Sequence, residues 1–417
     1  MKQAIIIGGG IIGLSSAYYL EKSGWKVTVL DKGDFLDNCS YGNAGYVCPS
    51  HFIPLASPGI IRQGLKWILN ARSPFYVEPR LDRALLSWGW KFMRSATKEK
   101  VERGVLPLRD IALLSQKEYR NWESDEAMEF EYVHKGLLEI FQTDAGADHA
   151  KHMAEKANEL HLEAALLSRQ ELEEKEPGTR INARGALFFK CDSHLYPNKL
   201  MKALISYLKS RGVDFRPREE VSGFEFDRRH ISKVITKGDA FAGDEVIIAT
   251  GSWTRELVAM LGVRIPLVPG RGYSVTLENT GYHLNHPAVL VEGRVALTPL
   301  DDKTIRFGGT MEITSVNRPP RYERVQGILD TVQRYFPDFV QPLPSPEKIW
   351  FGFRPCSADG LPYIGRTGRY KNLVLATGHA MLGLSLGAGT GKLVGEIIDG
   401  QIPSMDINPF RVDRFTK

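Results

Sequence analysis

Four apolar residues, Ala4 to Ile7, run directly into Gly8-Gly9-Gly10-Ile11-Ile12-Gly13, after which Leu14, Ala17, Tyr18 and Leu20 recur at helical spacing. A second apolar run, Val27 to Leu30, is closed by Asp31. This order predicts strand, glycine turn, helix and parallel strand. From Phe52 to Lys100 the pattern changes. Trp67, Trp88, Trp90, Phe92 and Met93 alternate with Arg62, Lys66, Arg72, Arg83, Lys91 and Arg94, which predicts amphipathic helices packed on a core, with a membrane-facing surface as the competing reading.

Arg109 to Trp122 reads as helix, Tyr132 to Gln142 as an alternating strand, and Ala145 to Glu176 as charged helix stopped by Pro177-Gly178. Lys199 to Arg211 is an amphipathic helix, Val213 to Arg216 and Val221 to Phe226 are strands, and Glu245 to Ala249 is a buried strand entering Thr250-Gly251. Leu267 to Leu277, Ala288 to Pro299 and Thr304 to Gly309 alternate as an antiparallel sheet would. Leu373 to Ala376 and the glycine-rich helix to Asp399 return to the opening pattern.

With 417 residues the chain predicts two or three domains, and 43% apolar and 25% charged residues mark a packed globular protein. Lysine and arginine number 54 against 49 acids, a net charge of +5. That small excess is a solubility feature, and no nucleic-acid partner is expected. The four cysteines, Cys39, Cys48, Cys191 and Cys356, lack metal-site or disulfide-framework spacing, so no metal is expected and a reducing compartment is. The strand starts almost at Met1 and no apolar stretch spans a bilayer. The expectation is therefore a cytoplasmic protein without a leader peptide.

Each glycine of Gly8-x-Gly10-x-x-Gly13 has its own role. The first permits a tight turn, the second a close approach of backbone to phosphate, and the third the packing of helix on strand. The pyrophosphate of a dinucleotide then sits at the helix N-terminus, and Asp31 accepts from ribose hydroxyls. NAD and FAD satisfy this motif equally. Two further strand-to-glycine approaches, Val246 to Gly251 and Thr377 to Ser385, and the small polar stretch Ser40-Tyr41-Gly42-Asn43-Ala44-Gly45 suit a long cofactor lying across the domain.

Together with Pro58-Gly59, Lys66-Trp67, Trp88-x-Trp90-Lys91, Gly272-Tyr273-Ser274, Trp350-Phe351-Gly352-Phe353-Arg354-Pro355, Asp359-Gly360-x-Pro362 and Thr377-Gly378-His379, these motifs resemble the D-amino-acid oxidase superfamily. Within it they resemble the bacterial D-amino-acid dehydrogenases, from one end of the chain to the other. The resemblance implies an α/β fold, with a Rossmann-like FAD-binding domain interleaved with an α+β substrate domain containing an antiparallel sheet. Residues 1–51, 180–265 and 345–417 fall in the first domain, 52–179 and 266–344 in the second.

The implied FAD contacts are Gly8, Gly10, Ile11, Ile12, Gly13, Asp31, Lys32, Ser40, Asn43, Ala44, Gly45, Val221, Thr250, Gly251, Trp253, Gly378, His379, Leu382, Gly383, Leu384 and Ser385. Arg354 is implied as the bidentate partner of a substrate carboxylate, a role its planar fork suits. Tyr273 is either a substrate-binding, catalytic hydroxyl or a packed sheet tyrosine, and Arg271 is open in the same way. His51 is implied to bind substrate, against a structural role, and His379 to orient backbone around the flavin. Cys356 matches a position where related sarcosine oxidases attach flavin covalently, but its flanks follow the dehydrogenase pattern, so non-covalent FAD is expected.

The implied reaction is oxidative deamination of a D-amino acid, D-proline and hydroxyproline included, by hydride transfer from Cα to flavin N5. The imine product then gives a 2-oxo acid. Electrons pass to a quinone or another carrier, which suits peripheral contact of the Phe52 to Lys100 region with the inner face of a membrane. The alternatives are an O2-reducing oxidase of glycine, sarcosine or a D-imino acid, and a flavin subunit of a heteromeric dehydrogenase.

Overall fold

The computed structural model describes residues 1–59, 74–124 and 128–416. Arg62, Lys66, Trp67 and Arg72 lie outside the described residues. The opening isoleucine run becomes the strand Gln3–Ile7 at the centre of a six-stranded sheet. Parallel neighbours flank it on both sides, Lys26–Asp31 and Glu245–Ile248. Asp214–Pro217 extends the sheet beyond the first, Leu373–Thr377 beyond the second, and Tyr363–Arg366 closes that edge antiparallel. Continuous apolar runs are required here because both faces of a parallel sheet are covered.

One cover is the glycine-turn helix Ile11–Lys22, against which the helix Gly387–Asp399 packs closely. The closeness is written in the sequence as Gly387, Gly391 and Gly395 on one face. A Cβ at Gly391 would lie 2.5 Å from the Ser15 backbone, and one at Gly395 would lie 2.9 Å from Tyr19 Cβ. The long helix Lys98–Glu123 joins the same layer, burying Tyr119 and Trp122 in its core.

The second large sheet has nine strands. Most pairings are antiparallel, with two parallel exceptions, Ala288–Leu290 on Leu137–Phe141 and Phe75–Val77 on Thr304–Ile313. Leu267–Glu278 is its spine, bonded along one side to Thr304–Ile313 and along the other to Ile349–Ser357. Every residue of Thr304–Ile313 is buried.

The expected segment boundaries need three corrections. Gly185–Phe189 and Ile349–Ser357 pair into the nine-stranded sheet although both lie in segments assigned to the dinucleotide side. The helix Lys98–Glu123 packs on the dinucleotide side instead of the other. Two element predictions also change. The charged stretch after Ala145 contains the strand Ala164–Ser168, because pairing with the fully buried Gly185–Phe189 outweighs the helix preference of Ala164-Ala165-Leu166-Leu167. The single strand expected over Tyr132 to Gln142 is split into Tyr132–Val133 and Leu137–Phe141 at Gly136, whose φ is +86°.

The helix Arg83–Ser95 has one packed face and one exposed face. Trp88 is buried, stacks on Phe92 and donates its indole N–H to the Cys356 carbonyl at 3.0 Å. Leu86, Trp90 and Met93, at helical spacing on another face, stay 62%, 59% and 50% exposed. Among the described residues no helix is long and apolar enough to cross a membrane.

Candidate active site

The carboxyl ends of the parallel strands face the nine-stranded sheet across a cavity of about 1640 Å³. This is larger than ordinary small-ligand pockets of roughly 300–1,000 Å³, and it suits an extended dinucleotide with a substrate beside it. Gly8, Gly10, Ile11, Ile12, Asp31, Lys32, Val221, Thr250, Gly251 and Trp253 line one end. Ser40, Asn43, Ala44, His51, Tyr273, Arg354, His379, Leu382, Gly383, Leu384 and Ser385 continue the wall. Gly13, Gly45 and Gly378 stand behind it and shape the backbone.

At the glycine turn, Gly8 adopts φ +112°, and a Cβ on Gly13 would fall 1.9 Å from the Gly8 carbonyl oxygen. The helix that follows has no capping side chain on Gly10 and no acidic residue in its first turn. Its N-terminal partial positive charge is therefore free to meet an anion. Ser40 Oγ accepts from Ile11 N–H at 3.0 Å, and the Asp31 carboxylate accepts from Gly9 N–H at 2.6 Å and Gly33 N–H at 2.7 Å. Each Asp31 oxygen keeps a lone pair for a ribose hydroxyl. Lys32 lies over the Trp253 ring, 3.7 Å from its centroid. A helix N-terminus with no acidic residue in its first turn, a carboxylate held by backbone and an open glycine surface fit a dinucleotide pyrophosphate.

The second and third glycine approaches are tied to each other. Thr254 Oγ1 donates to Thr377 Oγ1 at 3.1 Å, and Thr377 donates to the Gly251 carbonyl at 3.1 Å. His379 is buried with Nε2 3.0 Å from Thr390 Oγ1, and burial pushes its imidazole down to about 3. A neutral, anchored ring fits the positioning role expected of it. Ser385 Oγ accepts from Cys48 N–H at 2.9 Å, joining this approach to the loop that carries His51.

The Tyr41 to Gly45 stretch is held by residues that sequence reasoning missed. Arg306 donates to the carbonyls of Tyr41 and Asn43 at 2.8 and 2.6 Å, Thr298 to that of Ala44 at 2.6 Å, and Ser274 to that of Gly42 at 3.0 Å. All three come from the nine-stranded sheet, so the strap along the cofactor cavity is fixed by the opposite half of the molecule. The available signal was an arginine inside the apolar run Thr304–Ile313, where a charge must have partners.

Arg354 sits on Ile349–Ser357 with its guanidinium flat over Gly272, where a Cβ would lie 2.3 Å from the guanidinium carbon. It donates to the Thr310 carbonyl and lines the cavity. Among the described residues it forms no ion pair, and burial pulls its pKa below the usual arginine range. A desolvated cation at a cavity wall requires an anion.

Tyr273 lies on the other face of the sheet. Its hydroxyl donates to Glu312 Oε2 at 3.1 Å and accepts from Arg321 N–H at 2.7 Å, and the side chain belongs to the core beneath the sheet at 1% exposure. Strand alternation explains this, since Gly272 and Tyr273 must face opposite ways. Of the two readings of Tyr273, a substrate-contacting hydroxyl and a packed sheet tyrosine, these contacts favour the second. Arg271 shares that face, bonded to the Pro319 and Arg318 carbonyls with Glu312 at 3.7 Å. Tyr273→Phe should change kcat/KM by less than about threefold while costing roughly 1–2 kcal/mol in urea unfolding. A hundredfold loss of activity at unchanged stability would restore its catalytic role.

His51 faces the cavity, with Nδ1 3.3 Å from Ser50 Oγ, which donates to Asp192 at 2.5 Å. Burial holds its imidazole down at about 4, neutral at physiological pH. Cys356 is fully buried among Trp88, Val268 and Met311, and burial pushes its thiol up to about 12. It therefore lacks the thiolate character that a covalent flavin link requires.

The model of the DAO family, FAD dependent oxidoreductases, matches residues 3–397. The chain belongs to that family, and its cofactor is FAD. Curated relatives include a D-amino acid dehydrogenase of Granulibacter bethesdensis, 30% identical and covered over 99% of both chains. A D-amino acid dehydrogenase of Helicobacter pylori is also 30% identical, over 95% of this chain and 94% of its own. Among solved structures, glycine oxidase from Geobacillus kaustophilus superposes with a TM-score of 0.75 at 22% identity, covering 99% of both chains. L-proline dehydrogenase from P. horikoshii does so at 0.75 and 20%, covering 99% and 97%. At these identities the two structures establish the fold.

Proposed function

We propose that the chain oxidises a D-amino or D-imino acid to its imine, which hydrolyses to a 2-oxo acid or remains cyclic. The observation that carries this reading is Arg354, a desolvated cation without an ion-pair partner among the described residues, on the wall of the cavity shared with the glycine turn. The names of the relatives that match end to end agree with it.

FAD supplies the acceptor for the hydride that leaves Cα, so two electrons and one proton depart together. The chain's own work is binding and orientation. Arg354 takes the carboxylate through two parallel hydrogen bonds, which fixes both position and rotation. The amine must be uncharged for its lone pair to assist hydride loss. His51, a neutral imidazole on the same cavity, offers an acceptor for an amine N–H and adds no positive charge. The buried sheet face opposite the strand ends closes one side of the cavity to water.

The electrons then pass to a quinone, reducing it to the quinol. The exposed Leu86, Trp90 and Met93 beside Arg83, Lys91 and Arg94 favour this acceptor, because an apolar stripe flanked by cations suits the surface of an anionic bilayer where quinones dissolve. The test is an anaerobic flavin-bleaching screen over D- and L-amino acids, D-proline, glycine and sarcosine, followed by reoxidation with a quinone analogue or with O2. D-enantiomers should bleach the flavin and the quinone should restore it faster than O2. Faster bleaching by L-amino acids, glycine or sarcosine would overturn the substrate reading. Stoichiometric peroxide at a rate matching the quinone would overturn the acceptor.

A further inference from the structure

Neither Cys48 nor Asp192 has a part in the oxidation proposed above, yet both stand beside His51. Cys48-Pro49-Ser50-His51 is a tight turn, closed by the His51 N–H on the Cys48 carbonyl at 3.2 Å, with proline at its second position. Such a turn sets its first and last side chains next to each other. The strand Tyr46–Val47 leading into it pairs antiparallel with Ser193–Leu195, Val47 opposite Ser193, so the next step of the register brings Cys48 to Asp192. One ligand atom from each of Cys48, His51 and Asp192 lies within 4.8 Å of the other two. The backbone beneath them is fixed. Cys48 N–H is bonded to Ser385 Oγ at 2.9 Å, and the Asp192 carbonyl accepts from Gly136 N–H at 3.0 Å.

Asp192 is fully buried, and among the described residues it forms no ion pair. Its oxygens accept from neutral donors, the N–H and hydroxyl of Ser50 at 3.1 and 2.5 Å and the Cys191 thiol at 3.5 Å. These bonds orient the carboxylate without balancing its charge, and each oxygen keeps a lone pair. Outer bonds of this kind are what hold a metal-binding side chain in place. Cys48 and His51 also line the large cavity, which gives an ion a way in.

We propose that Cys48, His51 and Asp192 form a binding site for a divalent cation, zinc by preference. Thiolate sulfur, imidazole nitrogen and carboxylate oxygen are the three ligand types of zinc, whereas magnesium and calcium take sets of oxygen atoms. Three protein ligands leave one tetrahedral position, on the cavity side, for water. On binding, the Cys48 S–H bond gives way to a sulfur–zinc bond and its proton goes to solvent. His51 and Asp192 contribute lone pairs, and nothing is oxidised or reduced. The ion balances the buried carboxylate and ties the turn to the Asp192 segment. The cysteine spacing predicts no metal because Asp192 reaches this turn only through the fold. The site stands whatever substrate the flavin oxidises.

The test uses the flavin-bound protein, stripped with a chelator and titrated with Co2+, whose tetrahedral thiolate complexes absorb to the red of the flavin. One equivalent of Co2+ should saturate those bands, and one equivalent of Zn2+ should erase them, since zinc binds such ligand sets more tightly. Zn2+ at a hundredfold excess over its dissociation constant should raise the melting temperature by about 3 °C. Cys48→Ser should remove the thiolate bands and weaken Zn2+ about a hundredfold or more, and Asp192→Asn should weaken it about tenfold or more. The absence of such bands in the wild type overturns the proposal, whether or not the variants fold. Bands that persist in flavin-bound Cys48→Ser protein overturn it as well, because another thiol is then the ligand. So does equal zinc affinity in wild type and Cys48→Ser, the mark of an adventitious surface ion.

Discussion

Replacing Arg354 with alanine should lower kcat/KM for every carboxylate substrate about a thousandfold while FAD stays bound. A bidentate guanidinium–carboxylate pair in a desolvated site is worth several kcal/mol, and each factor of ten is about 1.4 kcal/mol. Lysine should recover only part of the loss, because a point charge on a flexible stem cannot reproduce the flat fork that rests on Gly272. Stability should move the other way or not at all. Arg354 is half-buried on the cavity wall, bonds the Thr310 carbonyl and has no ion-pair partner among the described residues, so its removal breaks no ion pair in the substrate-free protein. Steady-state kinetics, a flavin spectrum and a urea titration on one preparation separate the cases. Loss of flavin, or a large fall in stability with proportionate loss of activity, would show that Arg354 serves the fold and not the substrate.

The dinucleotide half of the fold was legible because its signals are local. An isoleucine run, a glycine turn, a helical repeat and a second apolar run lie within the first thirty-one residues, and each reads without its neighbours. The Gly387, Gly391 and Gly395 stripe is local in the same way. The substrate half was read less well because its evidence is distributed. Ala164–Ser168 looks helical until Gly185–Phe189 is beside it. The helix Lys98–Glu123 carries no mark of which sheet it covers. Arg354 could be singled out only through the resemblance of its motif, and Tyr273 could not be judged until pairing with Phe351 put it on the reverse face of the sheet. Arg306 was missed for the same reason. A charged residue inside an apolar strand shows that a partner is needed, and only the fold shows that the partner is the Asn43 carbonyl.

Gly10→Ala and Gly13→Ala should both yield protein without flavin, by different routes. A Cβ on Gly13 would sit 1.9 Å from the Gly8 carbonyl oxygen and 3.3 Å from Ile6 Cγ2. That overlap is with backbone, so the helix Ile11–Lys22 must leave the central strand, opening the layer it shares with Gly387–Asp399. Several kcal/mol of stability should go with it, and the apoprotein itself should melt markedly lower. At Gly10 the protein sets no such demand. The nearest atom to a Cβ is Ser40 Oγ at 3.5 Å, an ordinary contact, and φ is −76°. What a methyl group fills there is the surface in front of the helix N-terminus, where the pyrophosphate must approach backbone closely. Gly10→Ala should therefore leave apoprotein melting within about 2 °C of wild type and weaken FAD about a hundredfold or more by fluorescence titration, roughly 3 kcal/mol. If Gly10→Ala instead destabilises the apoprotein as much as Gly13→Ala does, its glycine is a requirement of the turn. The place where the cofactor touches the chain would then have to be sought further along the wall, at Ser40 to Gly45.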